Sequence, residues 1–414
     1  MIVSEMLGTF QRIINMDKIL IISNNAISNT ESNGRIYSYL VNEYLPNNIC
    51  NFYVRGNPDI EGVDYLTVSP KKALLSKVTF GILKSKNAHI EQSHSSTMGS
   101  SKSKKVFCHV LRNFAFYRNK SILNLLEKEI LDQKINVIYL WGSNIPYLYR
   151  YAWKLAKKLN LKLVTFTGED YPLKKYNYIS FKRSIFFSGF QKKLRKSAEI
   201  VYKISSCNMF SNDELRDFYK DSFHLENAET VYLKSPLTEL QQITASNDTF
   251  NILYGGNLYN ERIKSIIDIA SYCKKYENVK ILIYGQGNNE ALEQLEKFPN
   301  IEYKGVLPYN KLINEIKKAN LLLHVEGFSD FYKMDCKFAF STKISDYFMI
   351  NLPFFAYGPE EISDIKFCRK LIPDFTASSY VELNKLDAII LNKKKFVVDY
   401  NKVKECFEIK AKNL

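Results

Sequence analysis

The stretch STKISDYFMINLPFFAYG, residues 341–358, predicts a helix, a short turn and a buried strand in succession. Ser341 and Thr342 are favoured residue types at the start of a helix, and apolar residues recur after them at helical spacing. Asn351 interrupts this pattern, and the apolar run that begins at Phe354 has the character of a buried strand. A helix that leads directly into a strand is the repeating unit of a doubly wound α/β fold.

The beginning of this predicted helix also has the features of an anion-binding site. A helix start presents free backbone N–H groups and the positive end of the helix dipole, and both attract a phosphate. Lys343 adds a full positive charge beside the N–H groups of Thr342 and Ile344, with Ser341 at the N-cap. The sequence therefore predicts that a phosphate binds at residues 341–344.

Similar strand–loop–helix units precede this stretch in the second half of the chain. The apolar runs have the length and composition of buried strands, and glycine follows three of them, at Gly255–Gly256, at Gly285 and Gly287, and at Gly305. These strands are predicted over residues 250–254, 279–284, 301–303 and 321–325.

The first half shows the same alternation of strands and helices. Strands are predicted over residues 18–23, 51–54, 65–68, 137–141, 161–166 and 198–205. Helices are predicted over residues 121–130 and 148–159, and around residues 207–219. This alternation predicts an α/β protein with a doubly wound, Rossmann-like domain in each half and ligands at the carboxyl ends of the strands.

The length and composition of the chain bound its domain organisation. A chain of 414 residues is long enough for two domains, and 46% hydrophobic residues are sufficient for two ordinary cores. We predict a first domain over residues 1–240, a second over residues 248–392 and a closing helix over residues 393–414. The polar run over residues 87–105 predicts a mobile loop within the first domain.

The charge and cysteine content indicate the kind of partner and compartment. The formal net charge of +15 suits nucleotide phosphates, an anionic membrane or nucleic acid. No nucleic-acid-binding module accompanies the charge, so we expect no nucleic acid partner. No apolar run reaches the roughly 18 residues that a membrane-spanning helix needs. The seven cysteines are scattered and odd in number, which argues against a zinc site and fits a reducing cytosol.

Two predicted strands of the first half end in residues that could contact a second ligand. One strand ends at Trp141 and leads to Asn144, and the next leads to Glu169 and Asp170. Such strand ends lie at the ligand-binding edge of a parallel sheet. Either carboxylate could act on the ligand, or it could cap the turn before Pro172, and the sequence leaves both alternatives open.

The ordered motifs of the second half resemble the nucleotide-sugar domain of bacterial GT-B glycosyltransferases of the family-4 type. The resemblance covers residues 254–358 and rests on the glycine loops, Arg262 and the Ser-Thr-Lys helix start. It implies a GT-B fold, in which two Rossmann-like domains face a central cleft. The first half resembles the family more weakly, through Gly34-Arg35, residues 167–171 and residues 198–205.

The resemblance implies roles for individual residues. Arg262 would contact two phosphate oxygens, and Lys343 would neutralise the diphosphate leaving group in place of a metal ion. Asp346 would bind the ribose. The other donor-side residues are Gly255, Gly256, Asn257, Gly285, Gly287, Val306, Leu307, Ser341, Thr342 and Ile344, and the acceptor-side residues are Gly34, Arg35, Trp141 and Asn144. No metal ion or other cofactor is expected, because the chain has no Asp-x-Asp pair.

One residue departs from the family pattern. The family carries an acid eight residues before the position of Asp346, and this chain has Phe338 there. In the family that acid contacts the donor sugar. Glu326, which follows the predicted strand over residues 321–325, could take over the contact.

Residues 174–196 form a basic and aromatic stretch. The stretch contains eight basic residues and no acidic residue, and six aromatic residues are interleaved with them. This composition predicts peripheral contact with an anionic membrane, and a solvated helix face is the alternative.

Together these features predict a hexosyl-transferring glycosyltransferase. It would move a sugar from a nucleotide-diphosphate donor, UDP-linked, to a lipid-linked or oligosaccharide acceptor in bacterial surface polysaccharide synthesis, with retention of configuration. It would work in the cytoplasm at the inner face of the plasma membrane. Two alternatives stay open. One is a non-catalytic GT-B partner that activates another transferase, which Phe338 suggests, and the other is a nucleotide-sugar epimerase.

Overall fold

The computed structural model describes residues 18–29, 34, 36–38, 46–79, 111–176, 185–233, 235, 237, 249–259, 261–392 and 394–407. The mobile loop predicted over residues 87–105 lies outside these ranges, and so does Arg35. The chain divides into two units, the first ending at Val231 and the second beginning at Tyr232. Across the ranges given above, no helix combines the length and the apolar character that crossing a bilayer requires.

The apolar runs of the first unit form one parallel sheet. Its strands are β1 (Ile19–Ile22), β2 (Ile49–Tyr53), β3 (Asp64–Thr67), β4 (Val137–Trp141), β5 (Lys162–Thr167), β6 (Cys207–Phe210) and β7 (Ala228–Thr230). They lie in the order β3-β2-β1-β4-β5-β6-β7, and neighbouring strands are parallel. The strand order reverses between β1 and β4, which places a ligand-binding crevice at the carboxyl ends of these strands.

Helices connect the strands of this sheet. They are α1 (Pro70–Thr79), α2 (Lys120–Asp132), α3 (Pro146–Leu159), α4 (Ile185–Ile204) and α5 (Asp213–Phe223). Asparagine caps two of them: the Asn119 side chain accepts from the first N–H groups of α2, and Asn212 accepts from the N–H of Leu215 in α5. The predicted helices over residues 121–130 and 148–159 are thus confirmed within a few residues at each end.

One predicted strand of the first unit is wrong. Residues 198–205 continue and terminate α4, while residues 207–219, predicted as a helix, contain β6 and then the first part of α5. Leu194, Ala198 and Tyr202 are buried, and their spacing of four residues places them on one helical face. The short apolar run was ambiguous between strand and helix, and the face that it shares with the preceding turns makes it helical.

The second unit contains a separate parallel sheet. Its strands are β8 (Phe250–Gly255), β9 (Val279–Tyr284), β10 (Ile301–Gly305), β11 (Leu321–Val325), β12 (Phe354–Tyr357) and β13 (Thr376–Ala377). They lie in the order β10-β9-β8-β11-β12-β13, again with parallel neighbours. The prediction of two Rossmann-like, doubly wound sheets is therefore confirmed.

The helices of the second unit alternate with these strands. They are α6 (Arg262–Cys273), α7 (Asn289–Leu295), α8 (Tyr309–Ile316), α9 (Asp330–Cys336), α10 (Thr342–Ile350), α11 (Ser363–Leu371), α12 (Lys385–Ile390) and α13 (Tyr400–Phe407). The helix, turn and strand predicted over residues 341–358 are confirmed as α10 and β12. Ser341 is the N-cap of α10, and Asn351 ends the helix in the left-handed conformation at φ 56°. Ile344 and Phe348 lie on the buried face of α10 and pack into the core.

Candidate functional site

The three glycine-containing loops of the second unit lie side by side at the carboxyl ends of β8, β9 and β10. The N–H of Gly256 donates to the carbonyl of Tyr284 at 2.8 Å, and the N–H of Gly285 donates to the carbonyl of Gly305 at 2.9 Å. The N–H of Leu258 donates to the carbonyl of Gln286 at 2.8 Å, which ties the first two loops together further along. The structure thus brings together glycine motifs that are up to about fifty residues apart in the sequence.

Two of these glycines lie close to neighbouring groups, and at Gly285 the neighbouring group is backbone. A Cβ atom on Gly285 would lie 1.6 Å from the carbonyl oxygen of Gly256, so no side chain fits between the two loops. A Cβ atom on Gly256 would lie 2.9 Å from Nζ of Lys343 and 3.0 Å from the hydroxyl oxygen of Tyr254. Gly256 therefore allows the backbone to lie directly against Lys343.

Replacing Gly285 by alanine is expected to lower the free energy of unfolding by about 3 kcal/mol or more, since backbone must move to admit the methyl group. Urea denaturation monitored by circular dichroism measures this change. Gly189→Ala is the matched control, because nothing lies within 4 Å of the added Cβ atom in α4. That control should stabilise the protein by about 0.5–1 kcal/mol, through the helix propensity of alanine. Equal stability of the two variants would contradict the close approach.

Lys343, in the first turn of α10, carries a buried amino group without a hydrogen bond. The residue as a whole is half-buried, but Nζ is inaccessible to solvent and no described residue accepts a hydrogen bond from it. Nζ lies 4.7 Å from the centroid of the Tyr254 ring, which gives it a weak cation–π contact. Burial, together with the neighbouring charge of Arg262, lowers the pKa of Lys343 to about 8. A buried cation without a partner destabilises the folded protein, and a bound anion would neutralise it.

The start of α10 leaves further donors beside this amino group. The side chain of Ser341 accepts no hydrogen bond from the helix, although its backbone is in the extended N-cap conformation. The first N–H groups of a helix have no acceptor inside the helix. The N–H of Ile344 donates to the carbonyl of Ser341 at 3.0 Å, so Thr342 and Lys343 supply the N–H groups left at the helix start, and Nζ of Lys343 lies next to Gly256.

Arg262, the first residue of α6, is held by Glu326 at the end of β11. Its Nη2 donates to both carboxylate oxygens of Glu326, at 2.9 and 3.1 Å, and its Nε donates to Oε2 at 3.2 Å. Its Nη1 donates to Oδ1 of Asn257 at 3.2 Å. Burial disfavours the charged guanidinium, but the Glu326 carboxylate outweighs this effect and raises the pKa of Arg262.

This ion pair changes the predicted role of both residues. Glu326 accepts from Nε and Nη2 of the guanidinium, so Nη1, which also donates to Asn257, is the nitrogen of Arg262 that this carboxylate leaves open, whereas the sequence predicted contact with two phosphate oxygens. The Glu326 side chain is only 3% exposed, and both of its oxygens accept from Arg262. Glu326 is therefore a poor candidate for the sugar-contacting acid missing at Phe338, which is half-buried.

A second set of groups holds Glu326 in place. The hydroxyl of Tyr332 donates to Oε2 of Glu326, and the hydroxyl of Ser265 donates to its backbone carbonyl at 2.6 Å. On the other side, Nε2 of His324 lies 3.5 Å from Oε1 of Glu326. A Cβ atom on Gly358 would lie 2.9 Å from the Cβ of Glu326, so glycine leaves room for this carboxylate.

His324 is a core residue, and it is paired with Asp364. Its Nε2 shares a hydrogen bond of 2.9 Å with Oδ2 of Asp364, and both side chains are almost completely buried. Burial lowers the pKa of His324 to about 3 and raises the pKa of Asp364 to about 7. His324 is therefore neutral at pH 7 and adds no positive charge to the surroundings of Arg262.

His324, Glu326 and Asp364 offer the chemistry of a metal-binding set, since their ligand atoms lie within 4.8 Å of one another. The space between them is already used by direct contacts. His324 is hydrogen-bonded to Asp364, and Glu326 is neutralised by the guanidinium of Arg262. A cation would have to displace these contacts, so we assign the set a positioning role and no metal.

The remaining predicted donor-side residues lie in α10 and directly after β10. Asp346 is buried in α10, and its Oδ2 accepts from the hydroxyl of Tyr309 at 3.2 Å. Val306 is 66% exposed immediately after β10, and Leu307 is half-buried.

The first unit places the predicted acceptor-side residues at the carboxyl ends of adjacent strands. Trp141 ends β4, but its ring is buried at centroid distances of 4.0 Å from Tyr37 and 4.5 Å from Phe166. It therefore packs the sheet edge and has little surface for a ligand. Asn144 is half-buried in the following loop. Gly34 is buried, and a Cβ atom there would lie 2.6 Å from the carbonyl oxygen of Ala26.

The two candidate carboxylates of the first unit differ in their surroundings. Asp170 precedes the 3₁₀ turn Tyr171–Leu173 without capping it through its side chain, and Oδ1 lies 3.4 Å from Nζ of the buried Lys174. Glu169 is half-buried, and its backbone carbonyl accepts from the hydroxyl of Tyr219 at 3.0 Å. Of the two residues, Glu169 is the less buried, while Asp170 forms an ion pair with a buried lysine.

Comparison with known proteins identifies the fold. No protein-family model and no curated protein sequence matches the chain. The apo structure of the lipopolysaccharide outer core galactosyltransferase WaaB matches with a TM-score of 0.55 at 12% identity, covering 94% of each chain. A UDP-forming α,α-trehalose-phosphate synthase from Burkholderia xenovorans, in complex with glucose-6-phosphate, matches with a TM-score of 0.51 at 9% identity, covering 93% of this chain and 94% of that one. These similarities confirm the predicted GT-B fold.

Proposed function

We propose that the chain is a glycosyltransferase that takes its sugar from a nucleotide-diphosphate donor. The observation that carries this proposal is the buried, unpaired Nζ of Lys343, which lies against Gly256 at the start of α10. A cation without a partner is stabilised when an anion arrives, and a helix start adds N–H donors to the same anion. A diphosphate carries the charge density that suits this arrangement.

The diphosphate is also the leaving group of the proposed reaction. As the bond between the sugar and the diphosphate breaks, negative charge grows on the diphosphate oxygens. Lys343 and Nη1 of Arg262 stabilise this charge from fixed positions, which lowers the barrier without a metal ion. Asp346 accepts hydrogen bonds from the ribose, and the backbone at Val306 and Leu307 contacts the base, for which we propose uracil.

The residues that we propose for binding the acceptor lie in the first unit. We propose a lipid-linked or oligosaccharide acceptor of bacterial surface polysaccharide synthesis, with retention of configuration. Glu169 is the carboxylate that we assign to the acceptor side, since it is the less buried residue of the two. Residues 174–196 are basic and aromatic, which supports peripheral contact with an anionic membrane at its cytoplasmic face. Residues 177–184 of that stretch lie outside the described residues.

A panel of nucleotide sugars and free nucleotides, scored by thermal shift, tests the proposed donor. A ligand that binds the folded chain raises its melting temperature with the logarithm of ligand concentration over dissociation constant. We expect nucleoside diphosphates and their sugars to raise it and the monophosphates to do so far less. A panel without any stabilising diphosphate would contradict the proposal, and a sugar altered on its nucleotide without acceptor would identify an epimerase.

A further inference from the structure

Helix α1 of the first unit presents apolar and basic side chains to solvent together. Leu75 and Val78 are 64% and 67% exposed, and they lie one helical turn apart. Lys71 and Lys72 are exposed at the start of the same helix. The opposite face carries Ala73 and Ser76, the buried residues of α1, so within the described part of the first unit the helix packs through that face.

A neighbouring segment extends this surface. Phe114 is 58% exposed, and Nζ of Lys77 in α1 lies 4.3 Å from the centroid of its ring. The same amino group donates to the carbonyl oxygens of Phe114 and of Tyr117, at 2.8 Å for the latter. Lys77 thereby fixes α1 and Phe114 next to each other, which joins their exposed apolar groups into one patch.

Basic side chains also lie around Tyr117, whose carbonyl accepts from Lys77 of α1. The ring of Tyr117 has three cations near it: Arg118 at 5.8 Å, and Arg150 and Lys193 at 5.6 Å each. Lys193 belongs to the basic stretch over residues 174–196, so Tyr117 connects that stretch to the surface around α1. Lys193 of that stretch thus lies beside Tyr117, whose carbonyl accepts from Lys77 of α1.

This surface contains no acidic side chains of its own. Neither α1 nor residues 111–126 contain an aspartate or a glutamate. Among the described residues, Lys71, Lys72 and Arg118 take part in no ion pair with a carboxylate, although ion pairs occur elsewhere in the unit. Their charge is thus not neutralised within the part of the chain that the structure describes.

We propose that this surface, defined by Lys71, Lys72, Leu75, Val78, Phe114 and Arg118 and called here the α1 surface, binds an anionic lipid bilayer. Exposed aliphatic and aromatic side chains flanked by lysine and arginine suit the boundary between headgroups and acyl chains. A nucleic acid would contact the basic side chains, but its phosphates would make no favourable contact with exposed leucine and valine. An acidic protein partner would cover the apolar groups but is not favoured over a lipid surface of the same charge.

Bilayer contact through the α1 surface is separate from the proposed glycosyl transfer and does not depend on it. The residues of the α1 surface lie outside the stretch 174–196. Contact through this surface would hold the first unit, which carries the proposed acceptor side, at the membrane where a lipid-linked acceptor resides.

Co-sedimentation of the full chain with phosphatidylcholine vesicles, with and without phosphatidylserine, tests this proposal at low and at high salt. The wild-type chain should pellet with the anionic vesicles at low salt and remain in solution with neutral vesicles. Lys71→Gln/Lys72→Gln should weaken binding roughly 25-fold, since each charge contributes about fivefold at an anionic surface. Leu75→Ser/Val78→Ser should abolish the salt-resistant part of the binding.

Val381→Ser/Leu391→Ser is the matched control, because these side chains are 79% and 51% exposed in the second unit. That control should bind vesicles as the wild type does. Stabilisation of every variant by UDP, measured by thermal shift, separates the bilayer contact from the donor site. Wild-type affinity of both α1-surface variants, or equal binding of the wild type to neutral vesicles, would overturn the proposal.

Discussion

Lys343→Met is expected to reduce the affinity for a nucleoside diphosphate roughly 10- to 100-fold, because one charge-assisted contact to phosphate is lost. The rate of sugar transfer is expected to fall by a factor of about 100 or more, since the contact strengthens as charge develops on the leaving group. Methionine matches the lysine side chain as far as Cε and removes an amino group that is buried and without a hydrogen bond. The free energy of unfolding should therefore stay level or rise while function is lost.

Calorimetric titration with UDP and denaturation in urea measure these two quantities on the same variant. Lys297→Met is the matched control, because Lys297 is an exposed lysine of the second unit beyond α7. The control should match the wild type in both measurements. A Lys343→Met variant that binds UDP as tightly as the wild type would remove the basis for placing the diphosphate here.

The depressed pKa of Lys343 predicts how donor binding depends on pH. A diphosphate binds the protonated amine, and in the free protein this proton is lost as the pH rises through about 8. Affinity for UDP should therefore fall above pH 8, by up to about tenfold per pH unit. Phosphate groups complete their last ionisation near pH 6, so the ligand contributes little to this change. Lys343→Met should show no such dependence, and a flat wild-type profile would contradict the assignment.

The lowered pKa of Lys343 also determines how the free energy of unfolding changes with pH. The folded-state pKa of Lys343 lies below the ordinary value of 10.5, so the unfolded chain binds more protons between these two values. Stability from this group therefore increases as the pH rises from about 8 to about 10.5. The difference in unfolding free energy between the wild type and Lys343→Met should move in favour of the wild type over that range.

Glu326→Gln is expected to lower the free energy of unfolding by about 3 kcal/mol, because it leaves the guanidinium of Arg262 buried without its counter-charge. The side chains of Arg262 and Glu326 are only 19% and 3% exposed, so solvent compensates little for the loss. Donor affinity should also fall, since Arg262 is no longer fixed with Nη1 towards the ligand. Urea denaturation and UDP titration measure the two effects.

Two further variants distinguish positioning from stability. Arg262→Met/Glu326→Leu removes both charges and should recover most of the lost stability without recovering UDP affinity. Glu127→Gln is the control, since it breaks an ion pair with Lys158 that is 2.7 Å long but partly exposed. This substitution should lower the free energy of unfolding by less than about 1 kcal/mol. Full UDP affinity in the double variant would show that Arg262 acts on stability alone.

The sequence was sufficient for the fold class and for the local units of the second half. The helix start at Ser341, the stop at Asn351 and the following strand each rest on neighbouring residues, and each is confirmed. The strand predicted over residues 198–205 is wrong because four-residue spacing becomes visible only when the run is joined to the preceding turns of α4.

The arrangement around Arg262 could not be predicted from local pattern. Its partner Glu326 is 64 residues away, and Asp364 lies a further 38 residues along the chain. Only the pairing of β11 with β8 and β12 brings these segments together. The sequence did indicate Glu326 as a residue of interest, through its position after a strand, but assigned it to the sugar rather than to Arg262. Tyr332, in the short helix α9, gave no signal.

A crystal structure of the chain with UDP bound would show whether Lys343 holds the diphosphate. We expect a diphosphate oxygen within about 3.2 Å of Nζ of Lys343. We also expect Arg262 to stay paired with Glu326 and to contact the diphosphate through Nη1. A nucleotide bound elsewhere, or a diphosphate that leaves Nζ of Lys343 without a partner, would contradict the proposed donor site.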